Sequence, residues 1–154
     1  MKNLRYWQYK GNPVLLLGRS KTDHLFLLDD IKIHLDEMQA VGANYVRNTM
    51  SQREGKDRKP HKLLTDGKFD LNRWNQDYWQ RFQNMLEWTA DREIIVQIEV
   101  WDRFDYSTRN WETSPWNSKN NVNYTYEQTG FASKYPVRSK KSAVLNLQSC
   151  VLAQ

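Results

Sequence analysis

The chain has 154 residues, 39% of them hydrophobic and 27% charged, with a formal net charge of +5, a size that fits one ordinary domain or part of a larger one. Its single cysteine, Cys150, excludes an intramolecular disulfide and a cysteine-rich zinc site, and no run of about 18 apolar residues is present to cross a membrane as a helix. The positive charge is scattered, and its densest clusters, residues 53–62 and 134–141, fall in expected loop or tail, so no nucleic-acid partner is expected.

The first residues, Met1-Lys2-Asn3-Leu4-Arg5-Tyr6-Trp7, lack the apolar core of a signal peptide. Either the protein stays in the cytoplasm or the chain starts downstream of an export signal. A short extended lead-in is followed by a turn at Gly11-Asn12-Pro13. Val14-Leu15-Leu16-Leu17-Gly18 is a continuous apolar run, the pattern of a strand buried on both faces. Gly18-Arg19-Ser20-Lys21-Thr22 looks like a phosphate loop at first sight, but lacks the glycine before the lysine and the one five residues earlier. The histidines His24, His34 and His61 are too scattered to form a ligand set, and no metal or other cofactor is expected.

A helix is expected next. Asp29 or Asp30 caps it, Ile31, Leu35 and Met38 share one face, and Gly42 stops it. Residues 43–50 read as a second strand ending in polar side chains. Residues 51–68 read as a long charged loop, of the kind that is usually functional or mobile. A second helix is expected to open within residues 70–75, with Trp79, Phe82, Leu86 and Thr89 as its stripe.

Residues 93–106 are β-branched and apolar at first and turn polar and aromatic at their C-terminal end. Ile94, Val96, Ile98 and Val100 alternate with Ile95, Gln97, Glu99 and Trp101. The first set suits packing under helices. The second carries an amide and a carboxylate, which cost about 1–3 kcal/mol or more each if buried unpaired. Two arrangements satisfy this. One is a parallel α/β sheet with a site at the strand's C-terminal end; the other is an antiparallel strand with its polar face in water. The order strand, helix, strand, helix, strand, with long links at the C-terminal ends of the strands, favours parallel βαβ units. Residues 107–131 follow, rich in Asn, Trp, Tyr and Ser and without a clear period. Their rings and amides suit either stacking against sugars or packing on the domain itself.

These residues carry a family resemblance. Tyr6 through Gly18, Gly42-Ala43-Asn44-Tyr45-Val46-Arg47, Gly67-Lys68-Phe69-Asp70-Leu71-Asn72 and Val100-Trp101-Asp102 stand in an order and spacing that resembles the N-terminal part of cellulase-like (β/α)8-barrel glycoside hydrolases. The fold this implies is α/β: a partial TIM barrel of about the first three βα units with parallel strands, over residues 4–131. Residues 132–154 depart from the pattern, as a truncated or frame-shifted tail would.

The resemblance implies a carbohydrate partner and a family of hydrolases, often exported, that work with two carboxylates. In that family the acid/base stands in an Asn-Glu pair at the fourth strand end, and no Asn-Glu pair occurs here. The chain is therefore expected to lack catalysis on its own. The resemblance implies substrate binding by Arg47, Trp101 and Asp102. Glu99 and His24 join them as polar groups expected near the same strand ends. The competing expectation is a non-catalytic carbohydrate-binding or interaction module.

Overall fold

The computed structural model describes residues 6–18, 20–51, 53, 58–100 and 109–129. Within them the chain forms β1 (Trp7–Tyr9), β2 (Asn12–Val14), α1 (Ile31–Ala40), β3 (Tyr45–Thr49), β4 (His61–Leu63), β5 (Phe69–Trp74), α2 (Gln76–Asp91), β6 (Ile95–Glu99) and a single turn, α3 (Tyr126–Thr129). Two 3-10 turns, Leu25–Leu27 and Arg109–Thr113, complete the described elements. The strands make three separate two-stranded sheets. β1 pairs with β2 and β4 with β5, both antiparallel, while β3 pairs with β6 in parallel.

The core is built where three apolar patterns meet. α1 buries Ile31, Leu35 and Met38 on one face, at the spacing that a 3.6-residue period requires, with His34 beside them. It ends at Gly42, whose φ of 74° is strained for any residue with a Cβ. α2 buries Tyr78, Met85 and Thr89, and packs Trp79, Phe82 and Trp88 around them. Leu86, placed on the inner stripe by the sequence, is exposed. The turn Leu25–Leu27 lies between the helices and the sheet with all three side chains at 2% exposure or less. Phe26 meets Tyr78 edge-on at 4.9 Å and Phe82 at 5.5 Å. Arg92, just past α2, locks the helices together through Asp36 of α1 at 2.6 Å.

The partial barrel expected from the sequence is not formed. Its intended first strand is absent from the parallel sheet. Lys10 and Gly11 both take positive φ and fold the chain into the β1–β2 hairpin instead. Leu15 and Leu17, expected to be buried, are exposed. Residues 15–18 touch β3 only near its start. There the Asn44 side chain accepts from the Leu17 N–H at 2.8 Å and donates to the Leu15 carbonyl at 3.1 Å. With the Asn44 N–H donating to the Leu17 carbonyl at 2.7 Å, these contacts hold the segment at one point without a strand ladder.

The region read as a long loop contains a hairpin. Gly67, at φ 81°, and the Asp66 carboxylate, which accepts from the Lys68 N–H at 3.0 Å, turn β4 back into β5. The helix expected to open within residues 70–75 therefore starts at Gln76, at the far end of that range, because β5 occupies residues 69–74. β6 is also shorter than the apolar run suggested. Ile94 is buried, but Ile98 and Val100 on the same face are 41% and 47% exposed because no described element covers them.

Residues 109–129 are laid along the hairpin. The Phe69 N–H donates to the Asn120 carbonyl at 2.7 Å and the Phe69 carbonyl accepts from the Val122 N–H at 3.0 Å. Asparagine amides fasten this stretch to itself: Asn117 to the Trp111 carbonyl, Asn120 to those of Glu112 and Ser114, and Asn121 to those of Pro115 and Asn117. The asparagine-rich composition supplies the side-chain donors that order an irregular segment.

Gly18 tests the close approach to β3. A Cβ built there would overlap the backbone carbonyl of Tyr45. Gly18→Ala is expected to lower stability by about 1–3 kcal/mol, read by chemical denaturation, because backbone must move to admit one methyl group.

Candidate functional site

The parallel register Arg47↔Gln97 and Thr49↔Glu99 determines which side chains share a face. Alternation puts Tyr45, Arg47 and Thr49 on one side of β3 and Val46 and Asn48 on the other. Val46 and Asn48 are fully buried, and the Asn48 amide oxygen accepts from the Phe26 N–H at 3.3 Å. The opposite side is polar. Tyr45 donates its hydroxyl to Gln97. Thr49 donates its hydroxyl to Glu99 at 2.9 Å, and the Arg47 guanidinium stands 3.6 Å from the other oxygen of that carboxylate.

The loop before α1 adds the second half of the cluster. The Thr49 N–H donates to the Asp23 carbonyl, so the loop is pinned to the C-terminal end of β3. The Asp23 carboxylate takes the Arg53 guanidinium at 2.8 Å, and Arg53 donates through Nε to the Ser51 hydroxyl at 2.9 Å. His24 sits 3.2 Å from Asp23 and 3.1 Å from the Thr22 hydroxyl. Burial pushes the Asp23 carboxyl up, but the hydrogen bond and charge of Arg53 outweigh it and hold the group below its ordinary value of 3.8. In front of the cluster lies an open cavity of about 320 Å³ lined by Gly18, Ser20, Lys21, Thr22, Asp23, Tyr45 and Arg47.

Of the binding residues expected from sequence, Arg47 and Glu99 come together directly and His24 joins them through Asp23 and Thr49. Trp101 and Asp102 lie outside the described residues. Asp23, Thr49, Arg53 and Tyr45 belong to the cluster and were not anticipated. The alternation that picked out Gln97 and Glu99 also places Tyr45, Arg47 and Thr49 on one face, so two of the four were within reach of the same argument. Asp23 and Arg53 stand in loops, where no periodicity marks them.

No family model, no curated protein and no solved structure matches the chain. The resemblance to cellulase-like barrel hydrolases is overturned, and the hydrolase reading falls with it. Open two-stranded sheets stand where a barrel was expected. Among the described residues no pair of carboxylates is set for acid–base work: Glu99 is held by Arg47 and Thr49, and Asp23 by Arg53. A carboxyl held below the ordinary range, as Asp23 is, carries no proton to donate near neutral pH. Among the same residues no three His, Cys, Asp or Glu side chains gather to hold a metal ion.

Arg53→Ala leaves burial as the dominant influence on Asp23, so its carboxyl is expected to titrate higher than in the parent chain, followed by carboxyl-carbon NMR. The sign for stability follows from the depressed folded-state value. Asp23 favours the fold above the unfolded pKa, and this contribution is lost as the pH falls through the lower folded value. The variant is expected to lose part of that acid dependence.

Proposed function

We propose that the chain is a non-catalytic binding domain that takes a small, neutral, hydroxyl-rich ligand of the carbohydrate class in the open cavity between the loop of residues 18–23 and the Tyr45 and Arg47 side of β3. The observation that carries this is the charge balance of the cluster. Arg47 faces Glu99, Arg53 faces Asp23, and Lys21 faces Asp30 at 3.2 Å and Glu37 at 3.8 Å. An anion would have to compete with a carboxylate at every one of these cations. A polyol does not, because each hydroxyl both donates and accepts. It can donate to Asp23 while accepting from Arg47 or Lys21, and Ser20, Thr22 and Tyr45 offer further hydroxyls around the same cavity.

The cavity volume is at the small end of the range of about 300–1,000 Å³ common to ligand sites. Its openness to solvent leaves each charged group partly hydrated, so each contact is worth little. Weak binding, with Kd in about the millimolar range, is consistent with that geometry.

Amide chemical shifts followed during titration with a panel of neutral mono- and disaccharides, and separately with inorganic phosphate, test the reading. Sugars are expected to move Ser20, Thr22, Asp23, Tyr45 and Arg47, and Arg47→Ala is expected to weaken binding about tenfold or more through loss of charge-assisted hydrogen bonds. Shifts with phosphate and none with any sugar would reject it.

A further inference from the structure

His61 lies far from this balanced cluster in character: it is a titratable ring sealed inside aromatic packing. It is 1% exposed. Its ring stacks on Trp74 at 5.1 Å and an interplanar angle of 21°, and meets Trp116 edge-on at 4.9 Å. Trp79 of α2 closes the cluster behind Trp74 at 5.2 Å. The buried Nδ1 of His61 has no hydrogen-bond partner, and the Leu71 backbone beside the ring favours the protonated form less than burial opposes it. A proton added at Nδ1 would create an N–H with no acceptor to receive it.

The ring also joins two parts of the fold. Trp74 belongs to the hairpin and Trp116 to the segment laid on it. Beyond this aromatic contact, that segment is held by the Phe69 backbone bridge, by Asn123 accepting from the Leu71 N–H at 2.6 Å, and by Asn123 donating to the Asp70 carboxylate at 3.1 Å.

We propose that His61 is an acid-sensitive latch, whose protonation opens the His61–Trp74–Trp116 packing and undocks residues 109–123 from the β4–β5 hairpin. The charged groups on the elements around it are Lys59 and Lys62 beside it in the chain, Asp70 and Arg73 on β5, Asp77, Arg81, Glu87 and Asp91 along α2, and Glu112 and Lys119 on the docked segment. Of these, Asp70 favours the imidazolium, but burial outweighs it and moves the group from 6.5 down to about 4. Opening returns the ring to water, so acid favours the open form from about pH 6.5 downwards until the closed form itself protonates near pH 4.

Hydrogen exchange across pH 7 to 5, corrected for intrinsic rates, reads the opening. The expected result is a fall of about tenfold or more in the protection of Asn121 and Val122, with α1 and α2 unchanged. His61→Phe keeps a ring without a titrating nitrogen and is expected to remove the pH dependence, with His61→Gln as a second variant should the new ring disturb packing. Asp70→Asn keeps the Asn123 contact without the charge and is expected to retain the acid response. Protection that holds to pH 5, an equal loss in the His61 variants, or an imidazole that titrates near 6.5 while the segment stays protected would each overturn the latch.

Discussion

The fold depends on burying three consecutive apolar residues, Leu25, Phe26 and Leu27, in a segment too short to be a helix. A 3-10 turn meets the requirement: the Leu27 N–H reaches the His24 carbonyl at 3.1 Å and the Leu28 N–H the Leu25 carbonyl at 3.1 Å. The Phe26 N–H finds the Asn48 side chain instead. An uncompensated buried amide would cost about 1–3 kcal/mol, which explains why a polar residue occupies a fully buried position on β3. Around this point α1, α2 and β3 each contribute an apolar face. Full burial of one such side chain contributes about 1.5–3 kcal/mol, so the turn and its neighbours form the strongest single source of cohesion in the described structure. The same turn carries the loop with Asp23 and His24 to the strand ends, linking packing to the candidate site.

Periodicity made part of this architecture legible. The apolar face of α1 and the strands that became β3 and β6 could be read because each repeats at a helical or a strand period over several residues. The hairpins could not. β1, β2 and β4 are three residues each, too short for a period, and are specified by turn chemistry at Lys10-Gly11 and Asp66-Gly67. Asp66-Gly67 is a hairpin signal in its own right, but the charged residues around it mask the alternation that would mark the flanking strands. The barrel expectation failed for a related reason. A run such as Val14-Leu15-Leu16-Leu17 states that burial would be favourable, not that a partner exists, and Leu15 and Leu17 remain exposed. The candidate site was half legible: strand alternation exposes Arg47 and Glu99, whereas the loop residues Asp23 and Arg53 emerge only from tertiary contact.

The two polar regions of the molecule illustrate opposite solutions to one problem. At the strand ends, charges remain near water and are matched in pairs. Such exposed pairs contribute little to stability, and their balance is better understood as an arrangement of donors and acceptors than as a source of cohesion. In the docked segment, the side-chain amides of Asn117, Asn120 and Asn121 donate internally to its own carbonyls. That internal use removes the asparagines from contention as a sugar-binding row, despite a composition suited to it. Exposed Tyr124 and Tyr126 near its end are scattered apolar surface of an ordinary kind.

His61 is where these solutions collide, since it is titratable and buried among rings that could stabilise either of its forms. A protonated imidazole over the Trp74 face gains a cation–π attraction of about 0.5–2 kcal/mol. Against this, the fall of its pKa from 6.5 to about 4 corresponds to about 3 kcal/mol in favour of the neutral ring. The second quantity wins, and the geometry explains why. Cation–π attraction acts on the ring as a whole, whereas the new N–H at Nδ1 needs an acceptor at one definite point and has none. Stacking can therefore soften the penalty without removing it. The stress of protonation then falls on the contact that is easiest to part: the edge-on meeting with Trp116 belongs to a segment tied down by side chains and one short bridge, while Trp74 is continuous with the hairpin and backed by α2.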